Sequence, residues 1–248
     1  MPAVEVSDSE GVRTLRLDRP EKKNALTLAM YTALADALDQ ADTREDIRCI
    51  LIAGHASGFC AGNDLNDFLQ MAETGGLGAP IVRFLHALAS CKTPLVAAVA
   101  GQAVGVGTTM LLHCDYVVAA EDAVFSTPFV TLGLAPEAGS SLLMPRLMGH
   151  ARAFEILAMG HPLDVLGAQS AGLVNAIVRS ADLESAALAA ARKIAALPPQ
   201  AVRAARSLMR GNADEIAARI DAEVEVFRQR LASPEAKAAF RAFLERKR

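Results

Sequence analysis

The sequence predicts an α/β fold, with strands and helices alternating over residues 1–183 and a helical region over residues 184–248. Three observations support this division. Short apolar or alternating runs typical of strands recur in the first part, stretches with helical spacing separate them, and only helical spacing remains after about Asp182. The chain has 248 residues, 52% of them hydrophobic, so it is long enough to bury a sizeable core.

The first half of the chain is predicted to alternate between strand and helix. Residues Val12–Leu17 read VRTLRL, and this alternation of apolar and polar residues predicts a half-buried strand. Thr27 is a predicted N-cap, because apolar residues recur at helical spacing from there to about residue 41. The apolar run CILIA at Cys49–Ala53 predicts a buried strand, and helices are predicted over 64–73 and 81–90.

The next part of the chain repeats this unit in outline. A strand is predicted over 95–100, a glycine-rich turn over 101–107, a short buried helix over 108–113 and a strand over Tyr116–Ala120. Beyond Asp182 an apolar stripe at three- and four-residue steps indicates an amphipathic helix; its residues are Ile216, Ile220, Val224, Phe227 and Leu231. Such a helix needs a surface to pack on, either its own core or a neighbouring subunit.

Composition excludes several classes of function. The chain has 49 alanines, two tyrosines and no tryptophan, so it is poorly suited to stacking nucleic-acid bases. No apolar run reaches the roughly 20 residues that a membrane-spanning helix needs, and the first residues lack the pattern of a secretory signal. Four widely spaced cysteines and five histidines form no metal-binding motif. We therefore expect a cytoplasmic protein without metal, nucleic-acid or membrane partners.

Charge is distributed unevenly along the chain. Residues 1–183 carry 12 Lys and Arg against 20 Asp and Glu, whereas residues 184–248 carry 13 against 8. The net charges are therefore −8 and +5. Either the helical region has a solvated arginine-rich face, or it contacts an acidic partner or an anionic ligand. The simplest acidic partner is the first part of the same chain or of a neighbouring subunit, and high salt should then loosen the assembly.

Two glycine-rich turns follow predicted strands and precede predicted helices. They read SGFCAGNDL from Ser57 and GQAVGVG from Gly101. Small residues allow a ligand to approach the backbone, and the first N–H groups of a helix point toward oxygen ligands. Two such turns could each supply one N–H to a carbonyl oxygen, forming an oxyanion hole. Alternatively, the glycines only permit tight turns.

Glu137 is the one carboxylate between Asp122 and Glu155, and two interpretations of it remain open. It could be a favourable negative charge near the start of a helix. It could instead be a general base in an apolar pocket formed by Phe129, Leu132 and Leu134, with a pKa raised toward neutrality. The nearby serines do not indicate a serine hydrolase, because no GxSxG motif is present.

Five motifs occur in an order and spacing that resemble the enoyl-CoA hydratase/isomerase family, also called crotonases. They are RPEKKNAL from Arg19, SGFCAGNDL from Ser57, VAGQAVGVGTTML from Val99, CDYVVAAEDAVFSTPFVTLGLAPEAGSS from Cys114 and AQSAGLVNAIV from Ala168. The resemblance implies a crotonase-like spiral of ββα units with a C-terminal α-helical trimerisation region. It also implies an acyl-CoA thioester substrate, no separate cofactor because coenzyme A is part of that substrate, and a homotrimer or a dimer of trimers.

The resemblance also assigns site residues. The backbone N–H groups of Asn63 and Val106 would hold the oxygen of the thioester enolate. Contacts with coenzyme A would come from two segments, at Ala25 and Leu26 and at Ala61, Gly62, Asp64 and Leu65.

The subclass depends on which glutamates are present. Hydratases of the family use two, and the matching positions here are Thr109 and Phe129, which would make the pocket drier. Glu137 matches the single catalytic glutamate of peroxisomal-type Δ3,Δ2-enoyl-CoA isomerases, although Ala138 follows it where glycine is usual. The resemblance therefore implies an enoyl-CoA delta-isomerase. Ring-acyl-CoA isomerisation, weak enoyl-CoA hydration and CoA-thioester binding without catalysis are the alternatives.

Overall fold

A computed structural model describes residues 3–55, 58–64, 67–69, 71 and 77–245. Its centre is a six-stranded β-sheet with the strand order β1-β2-β3-β4-β6-β9. Strands β1 and β2 pair antiparallel, and the other neighbouring pairs are parallel. The strands of the chain are β1 Val4–Ser9, β2 Val12–Leu17, β3 Cys49–Ala53, β4 Leu95–Val99, β5 Gln102–Val104, β6 Tyr116–Ala120, β7 Val124–Ser126, β8 Leu163–Asp164 and β9 Ala176–Val178.

A second sheet of three short strands stands beside the first and explains how the chain winds. Its order is β5-β7-β8, with β5 and β7 parallel and β7 and β8 antiparallel. Strand β4 belongs to the large sheet and β5 to the small one, and the same holds for β6 and β7. Two successive turns of the chain therefore each contribute one strand to each sheet, as in the ββα spiral that the sequence resemblance implied.

Ten α-helices with both ends in the described residues surround the two sheets, in addition to the helical residues 67–69 and 71. They are α1 Leu28–Thr43, α2 Ala79–Ser90, α3 Val106–Thr109, α4 Ser140–Met148, α5 His150–Leu157, α6 Val165–Ser170, α7 Leu183–Ala195, α8 Pro199–Arg210, α9 Ala213–Leu231 and α10 Pro234–Glu245. Within the described residues, no helix is both long enough and apolar enough to cross a bilayer.

The large sheet is buried on both faces, because alternate residues of its strands pack in two different clusters. In β3, Ile50 and Ile52 join the larger cluster with α1 and α2, whereas Cys49 and Leu51 join a smaller one under α7. Helix α7 presents alanines at four-residue spacing to this second face, among them Ala187, which lets the helix lie close to the strands. The change of pattern near residue 183 is therefore a change of element type, and α7 forms one layer of the same core.

Most predicted elements are confirmed, and the differences are strand β1, which was not predicted, and the bounds of short elements. The side chain of Thr27 accepts a hydrogen bond from Met30 N, as expected of an N-cap. The predicted helix over 108–113 is wrong in its bounds, because α3 begins at Val106 and a 3₁₀-helix covers Met110–His113. Of the helix predicted over 64–73, residues 67–69 and 71 are helical, residue 64 precedes it, and the others lie outside the described residues.

Part of the C-terminal positive charge pairs with the first part of the same chain. Arg192 of α7 pairs with Glu10 at 2.5 Å, and Arg206 of α8 pairs with Asp115 at 2.7 Å. The second pair is largely shielded from solvent, and Asp115 also accepts a hydrogen bond from Leu95 N. These contacts fit the expectation that the +5 region faces the −8 region, here within one chain.

Candidate functional site

Three backbone segments lie side by side and build one half of the candidate site. The turn at 58–64 runs parallel to β5, since Cys60 N donates to Gln102 O at 3.1 Å and Val104 N donates to Cys60 O at 2.9 Å. On its other side, Leu26 N donates to Gly62 O at 2.7 Å. The residues predicted to contact coenzyme A in segments 25–26 and 61–64 are thus adjacent, and Leu65 lies outside the described residues.

Arg19 ties two of these segments together. Its guanidinium donates to Asp64 Oδ2 at 2.6 Å and to Ala25 O at 3.0 Å. Asn24 adds a second tie, because its buried side chain donates to Gly58 O at 3.0 Å. Asp64 was predicted to contact the substrate, but its carboxylate also stabilises the turn through its bond with Arg19.

The two glycine-rich turns meet at Gly107. A Cβ atom there would stand 2.6 Å from Cys60 O and 2.8 Å from Cys60 Cβ, which is closer than side chains pack. Glycine at this position therefore permits the close contact between the turns. Gly105, with φ of +55°, adopts a conformation that favours glycine just before α3 begins at Val106.

The two predicted oxyanion donors emerge from these turns. No acceptor among the described residues takes the backbone N–H of Asn63 or of Val106. Val106 occupies the first position of α3, where an intrahelical partner is impossible. The side chain of Asn63 is fixed separately, since Tyr31 Oη donates to Asn63 Oδ1 at 2.5 Å. Both N–H groups are thus available to an external oxygen.

Glu137 faces these turns from a third segment. It is 4% exposed, and its Oε1 accepts a hydrogen bond from Thr109 Oγ1 at 2.5 Å. Thr109 lies one helical turn beyond Val106 on α3, so the carboxyl group stands close to the second donor. The predicted pocket residue Thr109 therefore contributes a polar hydrogen bond, which differs from the purely drying role that the sequence suggested.

Burial raises the pKa of Glu137 to about 7. The hydrogen bond from Thr109 opposes this rise because it favours the charged form, and the negative charge of Glu223 adds to it. The proximity is mutual: Glu137 also raises the pKa values of Tyr31 and of Cys60, after burial as the main cause. Of the two interpretations of Glu137 offered by the sequence, this environment favours a general base.

The other predicted pocket residues are apolar and lie around the same segment. Phe129 is 5% exposed, and its Cε1 would lie 3.8 Å from a Cβ placed on Gly105. Leu134 is buried and its N–H donates to Phe129 O at 2.8 Å, whereas Leu132 is half-buried. An aromatic ring therefore lies beside the second turn at one of the positions where hydratases carry a glutamate.

Three residues that sequence reasoning did not assign to the site complete its frame. Tyr31 fixes Asn63, and Glu223 of α9 accepts hydrogen bonds from the turn that follows Glu137. His113 was expected to be a packed core histidine, which is confirmed, and its Nε2 also lies 2.8 Å from Ala138 O. The sequence offered one signal for Glu223, which is that a glutamate interrupts the apolar stripe of its helix.

The arrangement combines one proton-accepting carboxyl group with two unpaired N–H donors. A carboxyl group with a pKa near 7 can both take and return a proton at neutral pH. Unpaired N–H groups in a buried site stabilise negative charge that develops on an oxygen. No cluster of three or more potential metal ligands occurs in the described part of the chain.

Comparison with known proteins assigns this fold and site to a family. Residues 7–248 match the family model described as enoyl-CoA hydratase/isomerase. The 1,2-epoxyphenylacetyl-CoA isomerase of Escherichia coli K12 is 38% identical over 196 residues, which cover 76% of this chain and 74% of that protein. Enoyl-CoA delta isomerase 2 of Rattus norvegicus is 35% identical over 98% of this chain, which spans 63% of the rat protein.

Solved structures agree with this assignment. An enoyl-CoA hydratase/isomerase from Pseudoalteromonas atlantica T6c superposes with a TM-score of 0.93 at 41% identity, covering 98% of this chain and 97% of that one. Other relatives are named enoyl-CoA hydratases, so the similarities include both isomerases and hydratases. The chain belongs to the enoyl-CoA hydratase/isomerase family, whose members process acyl-CoA thioesters.

Proposed function

We propose that this enzyme is an acyl-CoA double-bond isomerase that converts a 3-enoyl-CoA into the conjugated 2-enoyl-CoA. The observation that carries the proposal is the buried carboxyl group of Glu137, which is bonded to Thr109 on the helix that begins at Val106, together with the unpaired N–H groups of Asn63 and Val106. A 1,3-proton shift needs one base that first removes a proton and then returns it, and this site provides one.

Comparison of the buried carboxylates supports the choice of Glu137. Asp64, Glu137 and Glu223 are the buried carboxylates among the described residues. Asp64 pairs with the cation Arg19, and Glu223 accepts hydrogen bonds from two backbone N–H groups. Glu137 receives one hydroxyl hydrogen bond, from Thr109, and so retains the capacity to accept a proton.

The proposed reaction follows from the positions of these groups. Glu137 removes a proton from C2 of the 3-enoyl-CoA, and the electron pair of that C–H bond moves toward the thioester carbonyl. The resulting enolate oxygen is held by the N–H groups of Asn63 and Val106. Glu137 then delivers its proton to C4, so that the double bond moves from C3 to C2 and all atoms of the substrate are retained.

The residues at the two hydratase positions support isomerisation over hydration. Hydration needs a water molecule that is oriented and activated, usually by paired carboxylates. Here one position holds Thr109, whose hydroxyl is bonded to Glu137, and the other holds the buried ring of Phe129. Neither side chain can accept a proton from water, so these two positions supply no carboxylate pair to activate water for addition to C3 of the 2-enoyl-CoA.

The test supplies 3-enoyl-CoA and follows the absorbance of the conjugated 2-enoyl-CoA. Glu137→Gln should reduce kcat by about 10²–10⁴, the usual contribution of a general base, with little change in KM. Glu215→Gln is the matched control, because Glu215 is exposed and pairs with Arg146. Full activity in Glu137→Gln would overturn the mechanism. A silent wild-type enzyme that binds CoA would favour binding without catalysis.

A ring-bearing substrate is the second candidate, because the Escherichia coli relative at 38% identity is named 1,2-epoxyphenylacetyl-CoA isomerase. Linear 3-enoyl-CoA and ring-containing acyl-CoA should therefore be compared at equal concentration. A kcat/KM at least about tenfold higher for the ring-containing compound would replace the linear substrate in the proposal, a difference of about 1.4 kcal/mol in transition-state binding. Hydration is measured separately from 2-enoyl-CoA.

We also infer a homotrimer or a dimer of trimers, assembled through the C-terminal helices. Leu208 and Met209 of α8 support this, since they are 85% and 80% exposed and adjacent. Sedimentation velocity should report an assembly that Leu208→Glu with Met209→Glu disrupts. Charge attraction between subunits predicts loosening at high salt, whereas an unchanged assembly would indicate an apolar interface alone.

A further inference from the structure

Glu223 is a buried charge on a helix whose inward-facing side chains are otherwise apolar. It is 6% exposed, and its neighbours on the inward face of α9 include Ile220, Val224 and Phe227. Burying a carboxylate in such surroundings is unfavourable unless hydrogen bonds replace water. The partners of Glu223 therefore indicate what the residue does.

Both oxygens of Glu223 bind the turn that follows Glu137. Oε2 accepts from Gly139 N at 2.6 Å, and Oε1 accepts from Ser141 N at 2.8 Å. Helix α4 begins at Ser140 and receives no capping hydrogen bond from the side chain of its own N-cap position, which is Gly139. Glu223 thus supplies from 82 to 84 residues away the acceptor that a local capping residue usually supplies.

The turn needs this support because its backbone is unusual. Ala138 has φ of +62° and Gly139 has φ of +70°, so two successive residues are left-handed. The left-handed conformation costs a non-glycine residue free energy and persists only where surrounding contacts impose it. Glu137 immediately precedes these two residues, so the direction of its side chain depends on how the turn is held.

A second group holds the turn from the opposite side. His113 lies 2.8 Å through Nε2 from Ala138 O, and its Nδ1 lies 3.3 Å from Arg210 Nη2. Because a guanidinium only donates, Nδ1 accepts and Nε2–H donates to the carbonyl of Ala138. Burial lowers the pKa of His113 to about 4, which keeps this imidazole neutral near pH 7. The carboxylate of Glu223 therefore provides the charged anchor of the turn.

We propose that Glu223 is a positioning residue for Glu137: its two oxygens fix the turn at 138–141, and its negative charge lies beside the Glu137 carboxyl group. The kinetic part of this inference rests on the proposed function. Glu223 does not contact the reacting atoms in the proposed reaction, so its effect passes through Glu137.

The charged and titratable groups around the pair are few among the described residues. Tyr31 from α1, Cys60 from the first turn and Glu223 from α9 interact electrostatically with Glu137. Burial raises the pKa of Glu223, and the hydrogen bonds from Ser141 and Gly139 and the charge of Arg219, on the same helix, offset part of this rise. Both oxygens of Glu223 accept N–H hydrogen bonds, which favours the charged form of its carboxyl group.

The experiment compares Glu223→Gln with Glu215→Gln. Both variants remove one carboxylate from α9 that contacts α4 or its N-terminus, but Glu215 pairs with Arg146 in solvent. Glu223→Gln should lower kcat about three- to tenfold, with KM within about twofold, because one of the two N–H groups loses its acceptor. It should also move the acid limb of the kcat/KM pH profile down by about 0.5 pH unit, because a nearby negative charge is lost.

Glu223→Asp distinguishes the effect of the negative charge from the effect of the two hydrogen bonds. It also replaces Glu223→Gln as the test if that variant does not fold. The shorter carboxylate keeps the charge but cannot span both N–H groups, so kcat should fall while the acid limb stays in place. An acid limb at the wild-type position in Glu223→Gln, with no greater loss of kcat than in Glu215→Gln, overturns the proposal. Full kcat in Glu223→Asp does so as well.

A readout without substrate distinguishes this inference from the proposed function. The infrared band of the protonated Glu137 carboxyl group, identified by its loss in Glu137→Gln, can be followed against pH. Its midpoint should be lower in Glu223→Gln than in the wild type, even if no 3-enoyl-CoA is turned over. An identical midpoint in both proteins contradicts the role of the Glu223 charge.

Discussion

The half of the site that contains Asn63 and Val106 is made of backbone, whereas the half that contains Glu137 is made of side chains. The backbone half is held by hydrogen bonds between neighbouring segments and by the close contact at Gly107. The side-chain half is held by single groups, which are Thr109, His113 and Glu223. The first half should therefore tolerate most side-chain changes other than those at Arg19, Asn24 and Tyr31, which tie its segments together, whereas the second half should respond to each change.

Apart from the loss of Glu137 itself, the largest expected effect comes from breaking the backbone half. Gly107→Ala would place a Cβ 2.6 Å from Cys60 O and force the two turns apart. We expect kcat to fall by about 10²–10³, as for loss of an oxyanion donor, and stability to fall by about 1–3 kcal/mol. Both are measurable, by the conjugation assay and by urea unfolding.

Gly149→Ala is the matched control for this prediction. Gly149 has φ of +80° and no atom within 4 Å of an added Cβ, so alanine there costs backbone strain alone. It should lose a similar stability of about 1–3 kcal/mol while keeping kcat within about twofold. If both variants lose activity equally, the effect of Gly107→Ala is general destabilisation.

The next effect concerns the stability that Glu137 costs. Its pKa in the folded protein is about 7, above the ordinary 4.5, so the folded state binds more protons between these values. The contribution of Glu137 to the free energy of unfolding is therefore fully present below pH 4.5, and it is lost as pH rises through 7. Glu137→Gln should stabilise the protein by about 1–3 kcal/mol at pH 8 and by less at pH 5. Equal differences at both pH values would contradict a raised pKa.

A smaller effect tests how far the hydroxyl of Thr109 offsets the rise that burial causes in the pKa of Glu137. Thr109→Val removes the hydroxyl that favours the charged form of Glu137, so the acid limb of the kcat/KM profile should rise by about 0.5–1 pH unit. Thr108→Val is the control, because the buried hydroxyl of Thr108 donates to Ala103 O at 2.7 Å. That variant should lose stability and leave the acid limb in place; a shift in both would show that the hydroxyl of Thr109 has no specific role.

The smallest effect concerns Ala138, where the sequence departs from the glycine usual in related isomerases. Ala138→Gly should relieve the left-handed strain, but it also removes a buried methyl group and increases the entropy of the unfolded chain. The net result should be a rise of about 0.5–1 kcal/mol in the free energy of unfolding. Urea unfolding measures it. A loss of stability would mean that the methyl group packs better than its φ of +62° costs.

The sequence predicted most of the long and periodic features of this protein, although it missed the six-residue strand β1. Strand Cys49–Ala53 and the cap at Thr27 follow from local patterns, and the structure has both. The short strands β5 and β7 were missed, because three residues carry too little periodicity to be recognised. These strands matter for the site, because β5 pairs with the first glycine-rich turn.

For the site, sequence patterns identified the candidate residues but not what holds them. Glu137 was noticeable as an isolated carboxylate, and the turns were noticeable for their glycines. Tyr31 and Glu223 were not, because their roles depend on contacts between elements distant in sequence. The hydrogen bond from Thr109 to Glu137 spans 28 residues and could not be inferred from either local pattern.

The long separation between Gly139 and Glu223 has a consequence for synthesis of the chain. Translation proceeds from the N-terminus, and 84 residues separate Gly139 from the carboxylate that binds it. At about 5–20 residues per second, the ribosome needs about 4–17 s to make that interval. Throughout that time the turn after Glu137 lacks the carboxylate that binds it, so full activity should be reached only after α9 has been made.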